Sequence, residues 1–161
     1  MAQDKSTIAV LGGTGAEGSG LALRWALKGH DVIIGSRSLD RAAAAAAELN
    51  QRLAGRASVR SGTHRDAAEV ASIVVLAVPY VAQMPVAETV RDLLPGKILI
   101  DVTVPLVPPK VARVQLPPGG SAVLALQNAL GADVKVVSAF QNVSAAHLRD
   151  LAHEVECDVR S

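Results

Sequence analysis

Ile8-Ala9-Val10-Leu11-Gly12-Gly13-Thr14-Gly15-Ala16-Glu17-Gly18 opens the chain with an apolar run that breaks into glycines. Residues 7–11 carry no polar alternation, which reads as a strand buried on both faces. The glycines follow as Gly13-x-Gly15-x-x-Gly18, or as Gly12-x-x-Gly15-x-x-Gly18 with one more residue in the turn. In either spacing the first glycine lets the strand turn sharply and the middle one lets backbone N–H groups approach a pyrophosphate. The last lets a helix pack close to the strand, and the helix N-terminus adds partial positive charge. Thr14, Ala16 and Glu17 fill the positions between. A mononucleotide loop would need Lys before Ser or Thr after its last glycine, and Gly18-Ser19-Gly20-Leu21 has no lysine. The stretch therefore predicts a dinucleotide-binding turn.

Working outward, the same alternation of apolar runs and helical stretches continues. A helix carrying Leu21, Leu23, Trp25, Ala26 and Leu27 stops near Gly29, and residues 31–34 form a second strand. Ser38 is placed to cap a helix over residues 39–53 that holds an alanine run. Residues 58–60 are a short third strand, with a short helix over 65–70. The unbroken run 73–78 is a strand closed by Pro79, and a helix over 81–94 stops at Pro95-Gly96. Strand 98–102, a proline-rich loop over 105–118 with 111–114 extended, a helix over 121–130 and a strand over 134–138 complete the series. A further strand begins at Cys157. Strand and helix alternate throughout, so the chain is expected to be α/β: a Rossmann-like, doubly wound, mostly parallel sheet in one NAD(P)-binding domain over residues 1–161.

Composition narrows the function. The 161 residues carry 16 basic and 15 acidic side chains, a formal net charge of +1, which is not the footprint of a nucleic-acid binder. Aromatic residues are 2%, too few for a base-stacking platform. The single cysteine, Cys157, excludes a disulfide framework and a Cys-rich zinc site. No leader pattern opens the chain and no apolar run reaches a membrane span, so the cytoplasm is the expected location.

The end of the second strand separates the two nicotinamide cofactors. An NAD-selective fold places Asp or Glu there for the ribose 2′-hydroxyl; this chain has Gly35-Ser36-Arg37-Ser38. Arg37 would meet a 2′-phosphate with charge-assisted hydrogen bonds, Ser36 would add a donor, and Arg41 lies on the same side one turn on. NADP is the expected cofactor. His30 reads as a turn residue, and His64 stands before a short helix with no functional role. His147 and His153 flank a polar helix without a third metal ligand, and no metal is expected. Trp25 and Phe140 read first as packing residues.

Several blocks resemble the NADPH-dependent F420 reductase family. They are Gly12-Gly13-Thr14-Gly15, Gly20-Leu21-Ala22-Leu23-Arg24, and Gly29-His30-Asp31-Val32-Ile33-Ile34-Gly35-Ser36-Arg37. Leu76-Ala77-Val78-Pro79 and Val136-Val137-Ser138-Ala139-Phe140, followed by Asn142-Val143-Ser144-Ala145, extend the likeness to residue 159. The resemblance implies hydride exchange between NADP and the deazaflavin coenzyme F420, a small-molecule co-substrate. It gives Ser36 and Arg37 to the 2′-phosphate. Ala77, Val78, Pro79 and Tyr80, with Val102 and Val104 at the next strand end, fall beside the nicotinamide. Ala139, Phe140, Asn142 and Val143 fall on the deazaflavin side. Ala82 departs from the histidine of some relatives. Members run on for about another quarter of their own length, with helices that dimerise and close the coenzyme site, so a homodimer and a missing C-terminal part are further expectations. Reduction of another acceptor (flavin, ferric ion or small molecule) and non-catalytic NADP binding remain open alternatives.

Overall fold

The computed structural model describes residues 5–106 and 113–153, together with the backbone of 159–160. Strands β1 (Thr7–Leu11), β2 (Asp31–Ser36), β3 (Val59–Thr63), β4 (Ile73–Leu76), β5 (Ile98–Asp101) and β6 (Lys135–Ala139) pair parallel, and β7 (Val159–Arg160) adds antiparallel to β6. The spatial order is β3-β2-β1-β4-β5-β6-β7. The sheet therefore winds outward in both directions from β1 and β4, and a crevice opens above their carboxyl ends.

Helices α1 (Ala16–Leu27), α2 (Leu39–Leu53), α3 (His64–Val70), α4 (Tyr80–Thr89), α5 (Ala122–Leu130) and α6 (Ala145–Arg149) cover the two faces. Successive side chains on a strand point to opposite faces, so β1 sends Ile8 and Val10 one way and Ala9 and Leu11 the other. The first pair packs with α1, α2 and α6 through Leu21, Leu23, Ala42, Leu49 and Leu148. The second packs with α3, α4 and α5 through Ala67, Val86 and Leu126. Both faces are dry, which is why the strand runs show no polar alternation. In α2 the buried positions Ala42, Ala46, Leu49 and Leu53 recur every three or four residues, Ala45 packs half-buried beside them, and Ala43, Ala44 and Ala47 face outward. Among the described residues no helix is long and apolar enough to cross a membrane.

Among the described residues the expected elements are present, with shifted ends. Helix α1 begins at Ala16 and so includes Gly18 and Gly20; packing against β1 and α6 outweighs the low helix propensity of glycine. Strand β3 runs to Thr63, paired with Ser36, where only residues 58–60 were expected extended. Strand β4 stops at Leu76, leaving 77–79 as a loop. The helix expected over 81–94 divides into α4 and a 3-10 turn, Arg91–Leu93, at the buried Val90, whose φ is −122°. In the proline-rich loop Leu106 and Val114 form an antiparallel bridge. Residues 111–112 of the expected extended piece, and Cys157, lie outside the described residues.

Candidate functional site: a two-ended cleft at the carboxyl edge of the sheet

The glycine turn is held by hydrogen bonds to the end of β2 and within itself. Gly12 N–H donates to the Gly35 carbonyl at 3.0 Å, and Gly15 N–H donates to the Gly12 carbonyl at 3.0 Å. Gly12 sits at φ +84°, and a Cβ there would lie 2.3 Å from the Ala77 carbonyl oxygen. Only glycine fits. A Cβ on Gly18 would come within 2.9 Å of the Gly12 carbonyl, so α1 owes its close approach to this position. Of the two possible spacings, the turn thus runs Gly12, Gly15, Gly18. Gly15 is the N-cap of α1 and supplies no side-chain cap, which leaves first-turn N–H groups directed at the crevice.

Two adjoining cavities share Gly15, Ala77, Val78 and Pro79. The first, about 530 Å³, is lined by Gly12, Thr14, Ser36, Arg37, Ser38, Arg41 and His64. Ser36 is buried, and its Oγ accepts from Ser38 N–H at 3.2 Å. Ser38 Oγ in turn accepts from Arg41 N–H at 3.4 Å as the cap of α2, which fixes where that helix starts and sets Arg41 beside the opening. Arg37 and Arg41 are exposed, and neither forms an ion pair among the described residues. No carboxylate lines this end. His64, expected to be without a role, is buried and faces the same cavity. Burial first, and then the Arg37 charge, hold its imidazole below its usual pKa and hence neutral.

The second cavity, about 390 Å³, is lined by Ala16, Glu17, Gly18, Tyr80, Val102, Thr103, Val104 and Leu106. Glu17 lies in the first turn of α1, where the helix dipole favours a carboxylate, yet burial pushes its pKa up to about 7. Behind the wall stands a polar knot in an apolar layer. Gln83 Nε2 donates to Asp101 Oδ2 at 2.6 Å and to Thr103 Oγ1 at 2.9 Å, and Thr103 N–H donates to Asp101 Oδ1 at 3.1 Å. All three residues are buried; burial raises the Asp101 carboxyl above its ordinary pKa despite these bonds. Gln141 Nε2 ties the Asp101 carbonyl to the loop after β6 at 2.7 Å. Sequence reasoning passed over Gln83, and the resemblance reached Thr103 only as part of the stretch at the end of β5. The available signal was a lone glutamine inside an apolar helix and a lone aspartate closing the apolar run of β5.

The glycine turn, Ser36, Arg37, Arg41, Ala77, Val78, Pro79, Tyr80, Val102 and Val104 are therefore brought together as the sequence suggested, with Gly13 packed behind the turn against Ile34. Ala139, Phe140, Asn142 and Val143 line neither cavity. Phe140 packs edge-on against Trp25, with ring centroids 5.7 Å apart, while Ala139 is buried and Val143 packs on the core. This block shapes the fold around α1 and α6.

Comparison with known proteins agrees with the geometry. The family described as NADP oxidoreductase, coenzyme F420-dependent, matches residues 7–105. The F420-dependent NADP reductase of Methanothermobacter thermautotrophicus is 42% identical over 157 residues, covering 94% of this chain and 67% of that protein. That of Methanocaldococcus jannaschii is 41% identical over 158 residues, covering 94% and 70%. A crystal structure assigned to an F420-dependent NADP reductase of Arthrobacter sp. FB24 superposes with a TM-score of 0.72 at 31% identity, covering 88% of this chain and 65% of that one. The chain thus spans about two thirds of the length of these relatives.

Proposed function

Because the chain belongs to the family of coenzyme F420-dependent NADP oxidoreductases, we propose that it exchanges hydride between NADP(H) and F420 in this cleft, as one nucleotide-binding domain over residues 1–161. The observation that carries the reading is the pairing of a cationic, acid-free end with an aliphatic end across one glycine turn. NADP supplies a nicotinamide that gives or accepts hydride; the protein's work is binding, orientation and exclusion of water.

The α1 N-terminus and the turn at Gly12, Gly13, Thr14 and Gly15 receive the pyrophosphate. Ser36, Arg37 and Arg41 receive the 2′-phosphate. Ala77, Val78, Pro79, Val102 and Val104 give flat, uncharged rings an aliphatic surface on which to stack at about 3–3.5 Å. Tyr80 closes that side. Reduction of a deazaflavin takes up one proton with the hydride. The Glu17 carboxyl is the acidic group of that wall, and at neutral pH it is partly protonated, so it holds a proton beside the rings. The Gln83–Asp101–Thr103 knot keeps the wall at 102–104 in place. Association as a homodimer and a cytoplasmic location belong to the same proposal, the first checked by sedimentation.

Mixing the protein with NADPH and F420 tests the function. The deazaflavin absorption band is expected to bleach as NADPH is consumed in equal amount. NADPH binding with an unchanged F420 band would overturn the acceptor, and parallel arms with free flavin and a ferric chelate would then identify another. No NADPH binding would overturn the whole reading.

A further inference from the structure

Among the described residues, His64 is the one buried polar side chain of the cationic cavity that the binding scheme above leaves unused, and its position is fixed by sheet register. Strand β3 lies parallel to β2 with Thr63 opposite Ser36, so the residues that follow the two strands, His64 and Arg37, leave the sheet edge together, close enough for the Arg37 charge to act on His64. Thr63 and Asp66 form a reciprocal cap: Asp66 N–H donates to Thr63 Oγ1 at 3.1 Å and Thr63 N–H donates to Asp66 Oδ2 at 2.9 Å. This pins the backbone of His64 between them. A Cβ on Gly35 would lie 3.3 Å from His64 Cα, so the strand end presses on the residue from the other side. The residue is 8% exposed, its ring makes no hydrogen bond among the described residues, and because no buried side-chain nitrogen there lacks a partner its nitrogens open onto the cavity it lines beside Ser36, Arg37 and Arg41.

An imidazole seated at the sheet edge with its nitrogens open to the cavity and free of protein partners, next to an unpaired guanidinium, is set up for an anion. Resting on the NADP reading above, we propose that His64 is a third reader of the cofactor's 2′-phosphate, donating to it beside Arg37 and taking on a proton when that dianion arrives. Other charges do not interfere. Arg37 and Arg41 reach the cavity from the β2–α2 junction; on α3 itself, Arg65 is turned to Asp92 and Asp66 to Thr63. Helix α4 contributes Ala82 and Val86, and the glycine turn contributes Gly12, Thr14 and Gly15, none of them titratable. Without a phosphate, burial and Arg37 favour the neutral ring. A dianion between the three groups reverses that balance, so the third contact strengthens as pH falls toward 6.

Titration calorimetry with NADP⁺ and NAD⁺ on the wild type, H64A and H64Q, at pH 6 and pH 8 and in two buffers of different ionisation enthalpy, reads this directly. The wild type is expected to take up more protons on binding NADP⁺ at pH 6 than H64A does; the phosphate's own protonation is common to both and cancels. H64A should lose about 10-fold of the NADP⁺-over-NAD⁺ preference at pH 6 and no more than about 3-fold at pH 8. H64Q, a neutral donor, should keep the pH 8 preference and lose the pH dependence. The NAD⁺ titrations report whether each variant still presents the nucleotide site. A wild type that prefers NADP⁺, with H64A matching it in preference and proton uptake, would overturn the proposal while leaving the function standing. Equal wild-type affinities for the two nucleotides would overturn both.

Discussion

The two ends of the cleft share four residues and little else. At one end Ser36, Arg37, Arg41 and His64 gather donors and positive charge with no carboxylate among them. At the other, Val102, Val104, Leu106 and Tyr80 enclose a surface whose acidic group, Glu17, is driven toward its neutral form. The first end suits a group that arrives charged and stays charged. The second suits planar rings between which a hydride passes, where a fixed charge would favour one redox state over the other. Their supports differ too. The cationic end is held by caps and strand register near the surface, whereas the aliphatic end rests on the buried Gln83–Asp101–Thr103 knot. On the proposed function, one end selects and the other positions.

Variants that separate the ends test this division, and the largest effect belongs to the residue that joins them. Gly12→Ala forces a left-handed φ on a residue with a Cβ and drives that Cβ into the Ala77 carbonyl. It should cost about 4 kcal/mol or more in urea unfolding and abolish binding at both ends. Next, Gln83→Leu removes the donor from a buried Asp101 oxygen and should destabilise by about 2–3 kcal/mol. Hydride transfer should slow in this variant while the NADPH-over-NADH preference persists; a lost preference would show that the ends are not independent. Arg37→Ala should do the reverse. It should weaken NADPH by roughly 10- to 150-fold, the equivalent of about 1.5–3 kcal/mol, and leave NADH nearly unchanged, with Ser36→Ala milder.

The smallest effect concerns Glu17. Its folded-state pKa is raised from 4.5 to about 7, so between those values the folded protein binds the extra proton and stability falls as pH rises. Glu17→Gln should remove this pH dependence. Because the side chain is only half-buried, the gain at pH 8 should be about 1 kcal/mol, well below the unscreened value, and it should vanish below pH 4.5. Thermal melts across that range check it; a variant less stable than the wild type at pH 8 would mean that Glu17 has a favourable partner as a carboxylate.

Much of this is legible in the amino-acid sequence. The strands declare themselves because both faces of the sheet are covered, which leaves 7–11 and 73–76 without a polar break. The glycine turn is readable because one backbone conformation demands it, and Ser36-Arg37 because a missing acid is as informative as a present base. What could not be read depends on partners distant in sequence. His64 gains its meaning only when β3 lies beside β2 in the observed register. The Gln83–Asp101 bond joins residues 18 apart that share a wall only after β4, α4 and β5 have folded. Val143, given with Phe140 to the deazaflavin side by resemblance, packs on the core, where α6 closes over α1 at Gly20 and Leu148. Local chemistry is written locally, and pairings across the sheet are not.

The central claim is that one end of the cleft reads the 2′-phosphate and thereby chooses the cofactor. Titrating the wild-type protein with NADPH and with NADH under identical conditions tests it most directly. The account predicts binding of both, with NADPH tighter by at least about 10-fold and the advantage shrinking as salt is raised, because the contact is between exposed charges. Equal affinities for the two nucleotides would contradict it.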